Sequence, residues 1–237
     1  MSLEQVVSSL VDRVEKRYFG KYRGIVEDNL DPKKLGRLKV RVPSLLGDEV
    51  VTGWAMPCLP YGGDPNRGMV FTPEKKTGVW VEFEQGDIER PVWVGTYYSL
   101  PEGESELPQP IDADGQDAGE GDEEATVSRK IIKTKAGHTI QFEDNDDTSM
   151  LIICEGKKKH RLLMNEEGIQ LIFAENNHSI VINEDGITIT TESALNIEAS
   201  DDITMTGNNV TIEAGADVII KASSNVTVEG KLIQLNP

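Results

Sequence analysis

The sequence predicts an all-β chain: a short N-terminal amphipathic helix, a small β-barrel, and a C-terminal intertwined β-helix, a β-prism spike that closes only as a trimer. Three observations carry this. From Tyr22 to Tyr98, strand-length segments alternate apolar and polar residues. After Gly186 one short phrase, two β-formers around a middle residue, returns at an interval of about eight residues. Between these regions runs an acidic stretch without Lys or Arg. The expected boundaries are 1–19 for the helix, 20–99 for the barrel, 100–127 for the linker and 128–237 for the spike.

In the helix, Leu3, Val6, Val7, Leu10, Val11 and Val14 fall at helical spacing with charged residues elsewhere, and Gly20 stops the pattern. The barrel strands come next. "GRLKVRVP" alternates Leu38, Val40 and Val42 with Lys39 and Arg41, and "GVWVEFEQGD" alternates Val79, Val81 and Phe83 with Trp80 and Glu82. "RPVWVGTYY" adds a strand with Val92 and Val94 on one face, and Asp31-Pro32, Gly62-Gly63-Asp64-Pro65 and Gly86-Asp87 mark turns. So many short strands in so little chain are best accommodated by a closed or nearly closed barrel, which removes exposed sheet edges.

The linker carries Glu102, Glu104, Glu106, Asp112, Asp114, Asp117, Glu120, Asp122, Glu123 and Glu124, and such composition predicts an extended, self-repelling connector. From Val127 the pattern is β again. A hairpin turn is expected near Asn145, and Asn-Glu-Glu-Gly and Asn-Glu-Asp-Gly mark further turns at 165–168 and 183–186.

The repeated phrase pairs Ile187/Ile189, Leu195/Ile197, Ile203/Met205, Val210/Ile212, Val218/Ile220 and Val226/Val228, which are the expected trimer core. Thr188, Asn196, Thr204, Thr211 and Thr227 sit between pair members and face the other way. A single-chain solenoid needs roughly 20–45 residues per coil, so eight cannot close a turn. If three chains each supply one wall of a prism, every pair is buried against two neighbours, and strand edges left open in a monomer are paired.

Formal net charge is −17, which argues against a nucleic-acid partner because phosphate binding draws on clustered Lys and Arg. Cys58 and Cys154, the only cysteines, are expected as buried thiols rather than a disulfide framework or metal site. No apolar run approaches the roughly 20 residues of a membrane helix, and no signal-peptide core opens the chain.

"YRGIVEDN", "DPKKLGRLKVRVP", "WAMPCLPYGG" and above all "GVWVEFEQGDIERPVWVGTYYS" resemble the OB-fold domain of phage baseplate protein V and the VgrG spikes of contractile injection systems. Within it, Gly86, Asp87, Arg90, Pro91 and Gly95 form the most specific cluster. "KTKAGHTIQFEDND" resembles the start of the spike β-domain, and the octads resemble its triple-stranded β-helix. The resemblance implies a homotrimeric central spike at the end of a tail tube, in the baseplate of a phage or phage-tail-like particle, made in the cytoplasm. Sheath contraction drives such a spike through the target envelope, so contact with the target membrane is transient. A ring-shaped hub protein meets the OB end. Because the chain ends "GKLIQLNP" with no His after His178, the tip is expected to be a separate PAAR-like protein. Hub and any lysozyme domain are expected on other chains.

No catalytic residue, metal ligand or cofactor is expected. The carboxylates show no pair distinguished from solvated surface, and His138, His160 and His178 lie scattered with no triad partner. "DNDDTS" at 144–149 resembles a calcium loop, but Ser149 stands where that loop needs Gly, so it reads as a turn. "KKKHR" at 157–161 reads as a trimer salt bridge or a solvated patch. The alternative is a trimeric OB-fold carbohydrate-binding adhesin on a β-stalk, with Trp54, Trp80, Trp93, Tyr97 and Tyr98 as stacking platforms.

Overall fold

The computed structural model describes residues 4, 5, 7, 11, 17–119, 121 and 123–234. The helix expected over 1–19 lies largely outside them, including Leu3, Val6, Leu10 and Val14. No helix among the described residues is long and apolar enough to cross a membrane.

Strands β1 (Tyr22–Asp28), β2 (Leu38–Arg41), β3 (Val51–Pro57), β4 (Gly78–Phe83) and β5 (Pro91–Thr96) close a barrel in the order β1-β2-β3-β5-β4. All its pairings are antiparallel except β3 with β5, where Met56 faces Val92 and Pro57 faces Trp93. The inward alternation of Leu38, Val40 and Val42 and of Val79, Val81 and Phe83 is as read, and with Val26, Ala55 and Trp93 these residues form the first core. On β5 the inward residues are Pro91 and Trp93, while Val92 and Val94 are only half-buried. Trp93 keeps its indole N–H satisfied inside the barrel by donating to the Gly36 carbonyl at 3.1 Å. A one-turn helix, α1 (Pro43–Leu46), joins β2 to β3, with Pro43 in the first turn, where its missing N–H costs nothing.

The second body is a seven-stranded antiparallel meander: β6 (Arg129–Lys133), β7 (Thr139–Glu143), β8 (Met150–Cys154), β9 (Arg161–Asn165), β10 (Gly168–Phe173), β11 (His178–Asn183) and β12 (Gly186–Thr190). The expected turns are where the sequence put them. Asn165 pairs with Gly168 and Asn183 with Gly186 across two-residue loops, and the Asn165 and Asn183 side chains accept the N–H of Glu167 and Asp185. The 144–149 loop turns likewise on Asn145, whose side chain accepts the Asp147 N–H.

Two expectations change here. The acidic stretch is folded, not extended. Glu106 closes residues 99–106 by accepting from the Ser99 N–H and hydroxyl, which hold its carboxyl below its ordinary value, and Pro110–Ala118 lies on the sheet with Ile111 only 2% exposed. Glu106, Asp112, Asp114 and Asp117 find donors that composition alone does not reveal. Helix α2 (Glu123–Ser128) then leads into β6. The cysteines also differ: Cys154 is buried, and burial pushes its thiol up, whereas Cys58 is exposed where the chain leaves the barrel wall after β3.

From Glu192 to Gln234 every residue is exposed, and none of the described residues there belongs to a strand. Among the described residues no coil closes on itself.

Candidate functional site

In an antiparallel sheet, residues directly opposite each other share a face. The meander therefore carries two rows along one face. One runs Ile132, Ile140, Ile153, Leu162, Leu171, Ile180, Ile189 across all seven strands. The other runs Lys130, Phe142, Leu151, Met164, Ile169, Ile182, Ile187, apolar everywhere but at its first strand. Among the described residues nothing covers this face: Phe142, Leu171 and Ile189 are about half exposed, and Ile187 is 70% exposed. A continuous apolar surface of this extent is far more than scattered exposed side chains.

The expected core pairs divide into two groups. Ile187 and Ile189 stand on β12, opposite Ile182 and Ile180, and so end the two rows. Leu195, Ile203, Val210, Val218 and Val226 are 54–57% exposed, and Ile197, Met205, Ile212, Ile220 and Val228 are 64–69% exposed. Both members of each of these pairs are exposed, with no covering residue among the described ones. The β6–β11 part of the face was not singled out from the sequence. Its signal was the alternation in "TIQF", "RLLM" and "GIQLIF", which shows that two faces differ but not which one is left bare.

Along one edge of this face His138, His160 and His178 occupy corresponding places just before or at the start of β7, β9 and β11. Each Nδ1 accepts a backbone N–H from the turn alongside, of Gly156, Ala174 and Glu192 respectively. His160 stacks on Phe173 at 4.0 Å between ring centroids. These are structural histidines that finish the strand ends. Among the described residues no group of three His, Cys, Asp or Glu side chains could hold a metal ion. Two of the "KKKHR" charges pair within the chain, Lys158 with Glu175 and Arg161 with Asp114, both at 2.8 Å.

The barrel motif residues do structural work. Gly86 has φ +74°, and a Cβ there would stand 3.1 Å from the Tyr18 nitrogen, because Tyr18 N–H donates to the Gly86 carbonyl at 2.9 Å. Asp87 and Arg90 build the adjoining turn: the Asp87 side chain accepts from Glu89 N–H, Arg90 N–H donates to Asp87 O, and Glu84 N–H donates to Arg90 O. Pro91 is buried opposite Phe83, and Gly95 lies opposite Trp80 where the β4–β5 register shifts.

Most of the aromatic platforms are already engaged. Trp54 has Arg37 at 5.4 Å and Lys39 at 5.2 Å from its ring centroid, and Arg23 lies over both Trp80 and Tyr97. Trp93 is in the core, so of the five only Tyr98 is largely exposed.

Compared with known families, residues 22–98 match the type VI secretion system/phage-baseplate injector OB domain. The match spans β1 to β5 and stops short of the acidic segment. No curated protein matches the chain.

Proposed function

We propose, from the match of residues 22–98 to the type VI secretion system/phage-baseplate injector OB domain, that the whole chain is the central spike of a contractile tail or injection system. Three copies stand at the end of the tail tube, the barrels toward a hub protein and the C-terminal rods outward toward a separate tip protein. The work is mechanical: the sheath drives the trimer through the target envelope, and no bond is made or broken by the spike.

One observation carries this reading: the two-row apolar face passes through Ile187 and Ile189 into octads with no partner among the described residues of their own chain. Unpaired backbone along more than forty residues, 192–234, is untenable in a rod unless neighbouring chains supply the hydrogen bonds. Copies of the same sequence supply them in register. Burying one Val or Ile is worth roughly 1.5–3 kcal/mol, so a prism layer of six contributes on the order of 10 kcal/mol before chain entropy is counted. The acidic exterior, with Glu198, Asp201, Asp202, Glu213, Asp217 and Glu229, keeps such a rod from adhering to anionic surfaces.

The test is the native mass of the full-length chain by light scattering. Three chains is the expected result. A monomer would overturn the reading.

A further inference from the structure

The other face of the meander is not uniformly polar. One of its rows runs Ile131, Gln141, Ile152, Leu163, then Gln170, Val181, Thr188. Its β6–β9 half is apolar except at Gln141, and its β10–β12 half is polar except at Val181. Pro110–Ala118 lies over the apolar half alone. Ile111 joins Ile152, Cys154 and Leu163 in the second core, and Gln141, 1% exposed, clamps it by accepting the Ile111 N–H at 2.8 Å and donating to its carbonyl at 3.0 Å.

The rest of the segment is fastened around that anchor. Lys133 reaches Asp117 at 3.0 Å, and Arg161 reaches Asp114 at 2.8 Å. Gly115 lies so close over Cys154 that a Cβ there would be 2.7 Å from the sulfur. Internally, Asp112 accepts the N–H of Asp114 and Gln116, and Ala118 N–H closes on the Pro110 carbonyl. The segment's polar groups are satisfied partly within itself and partly by Gln141, Lys133 and Arg161 of the sheet, and Ile111 is the apolar side chain it packs into the second core.

We propose that Pro110–Ala118 is an intrachain cover that leaves each sheet one face for self-association, and so sets a closed trimer in place of open-ended stacking. The proposal rests on the spike reading. A second exposed apolar patch on the opposite face would give each sheet two unlike sticky surfaces, and a heterologous contact whose rotation does not close a ring grows into an open-ended chain. With one covered, only the two-row face is left, and three of these turned inward bury one another. The cover precedes the sheet in the chain, so it is already synthesised when β6–β9 emerge.

The experiment compares full-length wild type, Ile111→Asp and Gln141→Ala by light scattering across a concentration series. Apolar-dye binding and limited proteolysis of 110–118 are followed in parallel. Both variants are expected to form species heavier than three chains that grow with concentration, bind several-fold more dye and lose protection of 110–118, with Gln141→Ala the milder. If Ile111→Asp fails to fold, Gln141→Ala decides. Wild type at three chains with variants also held at three and dye binding unchanged overturns the cover, whether 110–118 is cut or stays protected. A monomeric wild type overturns the spike reading itself.

Discussion

Asp31 and Arg37 hold the loop between β1 and β2 in one shape: the Arg37 Nε and Nη2 both donate to Asp31 Oδ1, at 3.1 and 2.5 Å, while the other oxygen accepts the Leu35 N–H at 2.7 Å. The guanidinium, and then the backbone N–H groups of Lys33, Leu35 and Arg37, hold the Asp31 carboxyl well below its ordinary value of 3.8. A carboxylate with a depressed folded pKa contributes stability above its unfolded pKa and loses it as pH falls through the folded one. Asp31→Asn is therefore expected to melt below wild type at neutral pH, with the gap closing as pH falls below the ordinary carboxylate value. Thermal unfolding from pH 7 to pH 2 reads this directly, and a gap independent of pH would show that Asp31 acts by shape alone.

Gly86 makes a second test of the barrel. An L-residue at its left-handed backbone costs about 1–2 kcal/mol, and the added Cβ meets the Tyr18 nitrogen and the Arg17 side chain. Gly86→Ala should lower barrel stability by at least that amount and expose Arg17 to trypsin. Equal cleavage rates in variant and wild type would mean that the Tyr18–Gly86 hydrogen bond does not fasten the segment.

The barrel's aromatic residues should not read a sugar or a base. With Arg37 and Lys39 over Trp54 and Arg23 over Trp80 and Tyr97, a planar ligand must first displace a cation from the ring. Tryptophan fluorescence is expected to stay flat on titration with oligosaccharides and single-stranded oligonucleotides. A saturable change lost in Trp54→Ala would favour the adhesin.

Much of this was legible in the sequence. Alternation located Leu38, Val40, Val79 and Val81 because each side chain's direction is set by its own strand, and Asn-x-x-Gly located turns because the chemistry is local. What the sequence hid depends on partners far along the chain. Ile111 reads as one apolar residue in an acidic linker, and nothing nearby shows that Gln141, thirty residues on, will take both of its backbone hydrogen bonds. Val92, Trp93 and Val94 read as a strand whose valines face together, yet the residue facing the core is Trp93, whose indole N–H has the Gly36 carbonyl to meet inside the barrel. The bare face of the meander was hidden for the same reason: which face stays open is decided by where the cover lands.

The octads give the sharpest contrast between positions one residue apart. Ile212 is a second pair member expected at the prism axis, while Thr211 points to the opposite side of the same extended segment. In a trimer, Ile212→Asp brings three carboxylates together in an apolar layer, and each unpaired buried charge costs several kcal/mol. Thr211→Asp adds the same three charges to a surface already lined with Glu213 and Asp217, where water solvates them. Light scattering should find Thr211→Asp at three chains and Ile212→Asp shifted toward monomer or held only by the sheet faces, with the distal rod open to protease. Leu38→Ala is the control for stability without assembly: it should weaken the barrel by about 2–5 kcal/mol and leave the mass at three chains, because Leu38 lies wholly inside the barrel core. Equal behaviour of the two aspartate variants would place residue 212 off the axis and require a different register for the rod.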